Sequence, residues 1–136
     1  MRLFLDSSVL LSAAGSEKSL SRLIVTIADK WRWDLVTAFY CRDETNRNIG
    51  KFPPKAANTW KALQDDLSLT PNALTSKRPL LLTASKDKPV LISALAAKCD
   101  VLLTLDTGDF GILIDTKVYG MLVTTPCSFL IDQGLG

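Results

Sequence analysis

The chain has 136 residues, 47% of them hydrophobic, and a formal net charge of +2. That length and composition suit one compact domain with its own core and exclude a disordered chain. No apolar run approaches the ~20 residues of a membrane span, and the apolar stretch before Asp6 is too short for a signal peptide, so a cytoplasmic protein away from the membrane is expected.

Arg2 to Leu5 is apolar without alternation and reads as a strand buried on both faces. Ser8 to Ala14 reads as a short helix closed by Gly15. Ser16 is the expected N-cap of a second helix, with Leu20, Leu23, Ile24 and Ile27 on one face and an end near Trp31. Asp34 to Thr37 is a short strand. Phe39 to Ile49 is helical until Pro53-Pro54 breaks the pattern, and those prolines start a helix over Lys55 to Leu67 that buries Ala56, Trp60, Leu63 and Leu67. Leu67 to Leu69 reads as a strand, and Leu80 to Leu82 as a strand edge or loop within the weakly patterned Ala73 to Ser85. Pro89 to Lys98 is a helix and Val101 to Leu105 a clear strand. Asp106 to Phe110 is a turn around Gly108, Met121 to Thr124 a last strand, and Pro126 opens a C-terminal helix. Alternating strands and helices predict an α/β fold with a parallel sheet covered on both faces.

The chain lacks histidine altogether, which removes Ser-His-Asp and Cys-His systems and histidine zinc sites together. Cys41, Cys99 and Cys127 are odd in number and have no CxxC spacing, so reduced, mostly buried thiols are expected. Charge is uneven: Cys41 to Lys61 holds five basic residues against two acids, and Val101 to Gly136 one lysine against four aspartates. That suits a polyanion near a cation site, and equally an ordinary solvated surface.

Acids remain as the candidates for chemistry. Asp6 ends the first strand and Asp106 follows the Val101 to Leu105 strand, so both fall at the carboxyl edge of a parallel sheet, where ligands bind. Glu44 lies in the helix after the second strand, which starts at that edge, and Asp87 precedes a helix start. Each acid also has a plain structural role: Asp6 and Asp87 as helix caps, Glu44 paired with Arg47, Asp106 in a turn. Clustered carboxylates repel and raise one another's pKa unless a cation neutralises them. Oxygen donors without nitrogen or sulfur suit Mg²⁺ or Mn²⁺, and such sites serve in-line hydrolysis of phosphodiesters.

These residues resemble the PIN domain, a family of small metal-dependent nucleases. Leu-Asp-Ser-Ser-Val-Leu-Leu around Asp6 is similar to the family's first-strand motif, and Asp-Glu-Thr-Asn-Arg-Asn-Ile carries its helix glutamate at Glu44. Asp87, two places before Pro89, resembles the acid ahead of the Pro-apolar helix, and Thr104-Leu105-Asp106 with Asp109-Phe110 resembles the Thr-x-Asp…Asp-Phe signature. The four motifs occur in the family's order along the whole chain. Asp43 competes with Glu44, and Asp109 with Asp106. The family pattern favours Glu44, whose neighbour points about 100° away on a helix, and Asp106 comes directly off the strand.

The resemblance implies one domain over residues 1–136, an α/β/α sandwich with a central, mainly parallel sheet of four to five strands. It implies a Mg²⁺- or Mn²⁺-dependent endoribonuclease. Asp6, Asp87 and Asp106 would supply the metal oxygens and Glu44 a second ion or its water. Ser8 and Thr104 would contribute hydroxyls, and Lys51, Lys86 and Lys88 would attract RNA. An antitoxin partner is implied if the chain is a toxin, and Trp31 and Trp33 offer a homodimer face or core packing. Two rivals stand beside this: a metal- or nucleic-acid-binding scaffold without turnover, and a haloacid-dehalogenase-type phosphatase. The last needs a second acid two places after the first, where Ser8 stands.

Overall fold

A computed structural model describes residues 1–71 and 88–135. The first strand, β1 (Arg2–Leu5), leads through α1 (Ser7–Gly15) and α2 (Leu20–Trp31) to β2 (Asp34–Ala38). Then come α3 (Phe39–Asn48), α4 (Pro54–Leu63), the short strand β3 (Ser68–Thr70) and α5 (Lys88–Ala96). After β4 (Val101–Leu103) follow α6 (Thr107–Phe110), β5 (Thr116–Val118), β6 (Met121–Thr124) and α7 (Pro126–Asp132). The strands form one sheet in the order β3-β2-β1-β4-β6-β5, parallel except for the antiparallel β5–β6 pair. Leu3, Phe4 and Leu5 have no accessible surface, as befits a strand covered on both faces. α1 packs on α2, α3 and α4, and the core gathers Phe4, Leu10, Leu102, Phe110 and Phe129.

The expected mainly parallel α/β sheet is present, with six strands among the described residues instead of four to five. β5 was not anticipated. It is held by a two-residue hairpin turn with Tyr119 at φ 49° and Gly120 at φ 85°, and Val118 paired to Met121. Both central residues have positive φ, the hallmark of a type I′ turn that usually announces itself as Asn-Gly. With tyrosine in the first place, the signal is lost.

Several boundaries move for identifiable reasons. Ser19, not Ser16, caps α2: its Oγ accepts from Arg22 N at 3.1 Å and donates to the Ser16 carbonyl at 2.9 Å. Gly15 does not close α1 by a left-handed turn. A Cβ there would sit 2.5 Å from the Phe52 ring, so glycine is required by close approach. α4 stops at Leu63 and tightens into a 3-10 turn over Gln64–Asp66, because Asp65 and Asp66 oppose the negative end of the helix dipole. β4 ends at Leu103, two residues early, and Asp106–Phe110 is mostly the single helical turn α6. Trp33 is core, 6.1 Å from Trp31 and edge-on to Phe129 at 5.0 Å, whereas Trp31 is exposed. The possible strand Leu80–Leu82 lies outside the described residues. Cys41 and Cys99 are free and buried, Cys127 free and exposed. Among the described residues no helix is long and apolar enough to cross a membrane.

Candidate functional site

β1 sits between β2 and β4. The chain runs from β1 outward to β2 and β3, then returns to β4 on the other side. Connections therefore leave the carboxyl ends of β1 and β4 in opposite directions and open a crevice there. Asp6 is the first residue beyond β1 at that crevice. Its backbone N–H donates to the Leu103 carbonyl at 3.1 Å, which continues the β1–β4 ladder by one step.

The Asp6 carboxylate is buried, with 7% of its surface exposed. It caps α1, as its plain structural reading required, by accepting from Ser7 N at 2.8 Å on Oδ1. Oδ2 accepts from the Thr104 hydroxyl at 2.8 Å and from the Ser8 hydroxyl at 3.2 Å. Burial pushes the Asp6 pKa up, and the Glu44 carboxylate adds to the rise, while the Thr104, Ser7 and Ser8 hydrogen bonds oppose it without cancelling it. The neighbouring Cys41 thiol is pushed up to about 12 by burial, with the Asp6 charge a smaller cause. At neutral pH Cys41 is therefore a thiol rather than a thiolate.

Ser8 and Thr104 are tied into the framework. Ser8 Oγ accepts from Leu105 N at 3.0 Å, and Thr104 Oγ1 accepts from Asp106 N at 3.0 Å. A hydroxyl has one proton to give, and both give it to Asp6. Their place is to hold the carboxylate and, through Thr104, to fix the backbone at Asp106. Asp106 is half-buried and lies three residues past the end of β4, beyond the exposed Leu105, so it does not come directly off the strand.

Glu44 reaches the same edge from α3. Its Oε1 accepts a hydrogen bond from the Ser7 hydroxyl. Asn48 Nδ2 donates to the Glu44 carbonyl at 2.8 Å, and Trp60 Nε1 donates to Asn46 Oδ1 at 2.7 Å, which pins α3 against α4. Asp43 faces elsewhere and pairs with Arg42 at 3.1 Å. Ser7 is a residue the sequence reading passed over. Two serines side by side in a first helical turn project about 100° apart, so one serves Asp6 and the other Glu44, and nothing in the letters says which.

Lys51 is exposed at the end of the turn Ile49–Lys51. Asp87 and Lys86 lie outside the described residues, and Lys88 and Asp109 are placed only as the first residue of α5 and a member of α6. Among the described residues no three acid, thiol or imidazole groups stand close enough together to share an ion. What the described edge offers is a buried carboxylate at Asp6 coupled to a second at Glu44, with oxygen donors around them and no nitrogen ligand. That donor chemistry fits a hard divalent cation. A cleft of about 560 Å³ between α2 and α4, lined by Val25, Asp29, Trp33, Leu63 and Asp66, contains none of these acids. Its own acids, Asp29 and Asp66, stand just ahead of β2 and β3 rather than at the carboxyl ends of the strands, where a parallel sheet binds ligands.

No protein-family model matches the chain, and no curated protein does. Among solved structures the fold is similar to a chain of VapBC2 from Rickettsia felis bound to a DNA fragment from their promoter. The TM-score is 0.64 at 11% identity, over 92% of this chain and 98% of that one. At that identity the likeness is one of fold: an α/β domain with a mostly parallel six-stranded sheet.

Proposed function

We propose that the chain is a Mg²⁺- or Mn²⁺-dependent endoribonuclease whose site is the carboxyl edge of β1 and β4. The observation that carries this reading is Asp6: a carboxylate buried at the switch point, held by three hydrogen bonds, and kept costly by burial and by Glu44. A group arranged in that way is stabilised by an arriving cation more than by any neighbour it already has. Asp6, Asp106 and Asp87 would hold the ion, and Glu44 would hold a second ion or its water. When bound, the ion supplies a water acidic enough to attack a phosphodiester at neutral pH.

The chain's own residues do the rest. Ser8 and Thr104 aim Asp6 into the crevice, and Ser7 turns Glu44 toward it. Lys51, with Lys86 and Lys88, would draw the RNA backbone to the mouth. The likeness in fold to VapBC2, solved on DNA from their promoter, supports a toxin paired with an antitoxin. Cleavage of single-stranded RNA with Mg²⁺ or Mn²⁺, by wild type and Asp6→Asn, tests the reading. Metal-dependent cutting by wild type alone supports it, and equal activity in both sinks it.

A second reading has its own observation. The described acids do not by themselves form a three-carboxylate cluster, and a protein that binds metal and nucleic acid without turnover needs fewer. Tight Mn²⁺ and RNA binding without cleavage is the result that would favour it.

A further inference from the structure

α3 carries Glu44, yet its own packing says little about which way Glu44 should face. Of its ten residues only Cys41 and Thr45 are buried, and they stand in one row at i and i+4. A surface helix ordinarily fixes its roll with an apolar stripe about 100° wide. Two small side chains make a narrower anchor. Polar ties from neighbouring helices add to it. The Ser7 hydroxyl of α1 holds the Glu44 carboxylate. Trp60 of α4, only 3% exposed, donates its indole N–H to Asn46 Oδ1 at 2.7 Å. Glu44 and Asn46 are two residues apart, hence about 200° apart around the helix, so the two ties grip nearly opposite faces. The helices that supply them are packed together. α1 lies on α4, and the Phe52 ring just ahead of α4 closes on Gly15 at the end of α1. A buried indole needs a partner for its one donor, and here that need is met on the helix that bears the acid.

We infer that Asn46 and Trp60 are positioning residues: with Ser7 they set the roll of α3 so that Glu44 faces the crevice beside Asp6. The use of Glu44 there rests on the proposed cation site, whereas the coupling between the two ties does not. If the Trp60–Asn46 bond is lost, α3 is free to roll and the Ser7–Glu44 bond weakens with it. Asn46 thus acts through the helix and not by contact with an ion. Two side chains that merely packed would instead contribute to stability independently of Ser7.

Urea denaturation of the whole chain in chelating buffer tests the coupling without any metal, through the cycle of Ser7→Ala with Asn46→Ala. Asn46 is exposed, so its variants keep the core intact. Ser7→Ala should lower the folding equilibrium constant about fivefold in the wild-type background, the worth of one hydrogen bond. In the Asn46→Ala background the same change should cost less than about twofold. Calorimetry with Mn²⁺ reads the consequence at the edge. Asn46→Ala and Trp60→Phe should each weaken Mn²⁺ binding several-fold, and Asn46→Asp, which keeps an acceptor for the indole, should restore it. The inference is overturned if the fivefold loss is the same in both backgrounds, or if Asn46→Ala lowers stability and leaves Mn²⁺ affinity at the wild-type value. Coupling between Ser7 and Asn46 in a chain that binds no Mn²⁺ overturns the cation site and leaves the positioning role standing. Mn²⁺ binding with additive Ser7 and Asn46 losses does the reverse.

Discussion

Thr104 Oγ1 donates to Asp6 Oδ2 at 2.8 Å, although the two residues are 98 positions apart in the chain. The same oxygen accepts from Asp106 N at 3.0 Å. One hydroxyl, fully buried at the end of β4, therefore joins the acid after the first strand to the backbone of the acid after the fourth. Parallel pairing of β1 with β4 brings them into reach, with Leu5 set against Leu103.

Thr104→Val keeps the shape and removes the hydroxyl. It leaves the Asp106 N–H without its acceptor and Asp6 without its shortest side-chain donor. Leaving such groups unpaired costs about 1–3 kcal/mol, which urea denaturation will read. Thr104→Ser, which retains the hydroxyl, should lose clearly less.

Asp6 makes stability depend on pH in a direction opposite to most carboxylates. Burial raises its pKa above the ordinary 3.8. Between those two values the native state binds more protons than the unfolded chain, so the contribution of Asp6 is fully present below pH 3.8 and is lost as pH rises through the folded pKa. The comparison is wild type against Asp6→Asn, unfolded by urea at a series of pH values in chelating buffer. Wild-type stability relative to the variant should fall from about pH 4 upward and level off once Asp6 is ionised in the fold. A difference that is flat, or that grows with pH, contradicts the burial argument.

A divalent cation should remove that neutral-pH cost. Added Mn²⁺ should raise the melting temperature of wild type, by the equivalent of about 2.7 kcal/mol at a hundred times its Kd. Asp6→Asn should abolish the shift and Glu44→Gln should reduce it. Differential scanning fluorimetry across a Mn²⁺ titration measures both.

Ser7→Ala frees Glu44 while leaving the Ser7 N–H bond to Asp6 in place. Its stability cost should be modest, about 1 kcal/mol for one lost hydrogen bond. Mn²⁺ affinity, read by calorimetry, should fall several-fold, because Glu44 is no longer held toward the crevice. Affinity equal to wild type would show that Ser7 merely packs there.

The parallel sheet could be read from the letters because β1 and β4 are short apolar runs that each end in a polar residue. Asp6 was legible for the same reason. What escaped was set by tertiary partners. Ser16 and Ser19 are equally good caps by type, and the choice falls to Ser19 because its hydroxyl also meets the Ser12 and Ser16 carbonyls. β5 depends on a tyrosine at positive φ, which no propensity announces. The span expected for β4 ran to Leu105, whose apolar side chain faces solvent beyond the last ladder bond. At the edge itself the acids could be named one by one. The tasks of Ser7 and Ser8 could not, because each depends on a neighbour supplied by folding.

The central claim is that the carboxyl edge of β1 and β4 holds a divalent cation at Asp6. Anomalous diffraction from crystals soaked in Mn²⁺ measures that directly. The expected result is a manganese peak within coordinating distance of the Asp6 carboxylate, with Glu44 or Asp106 turned toward it, and no such peak in Asp6→Asn crystals. At saturating Mn²⁺, an edge without a peak, or manganese bound only elsewhere, would contradict the account.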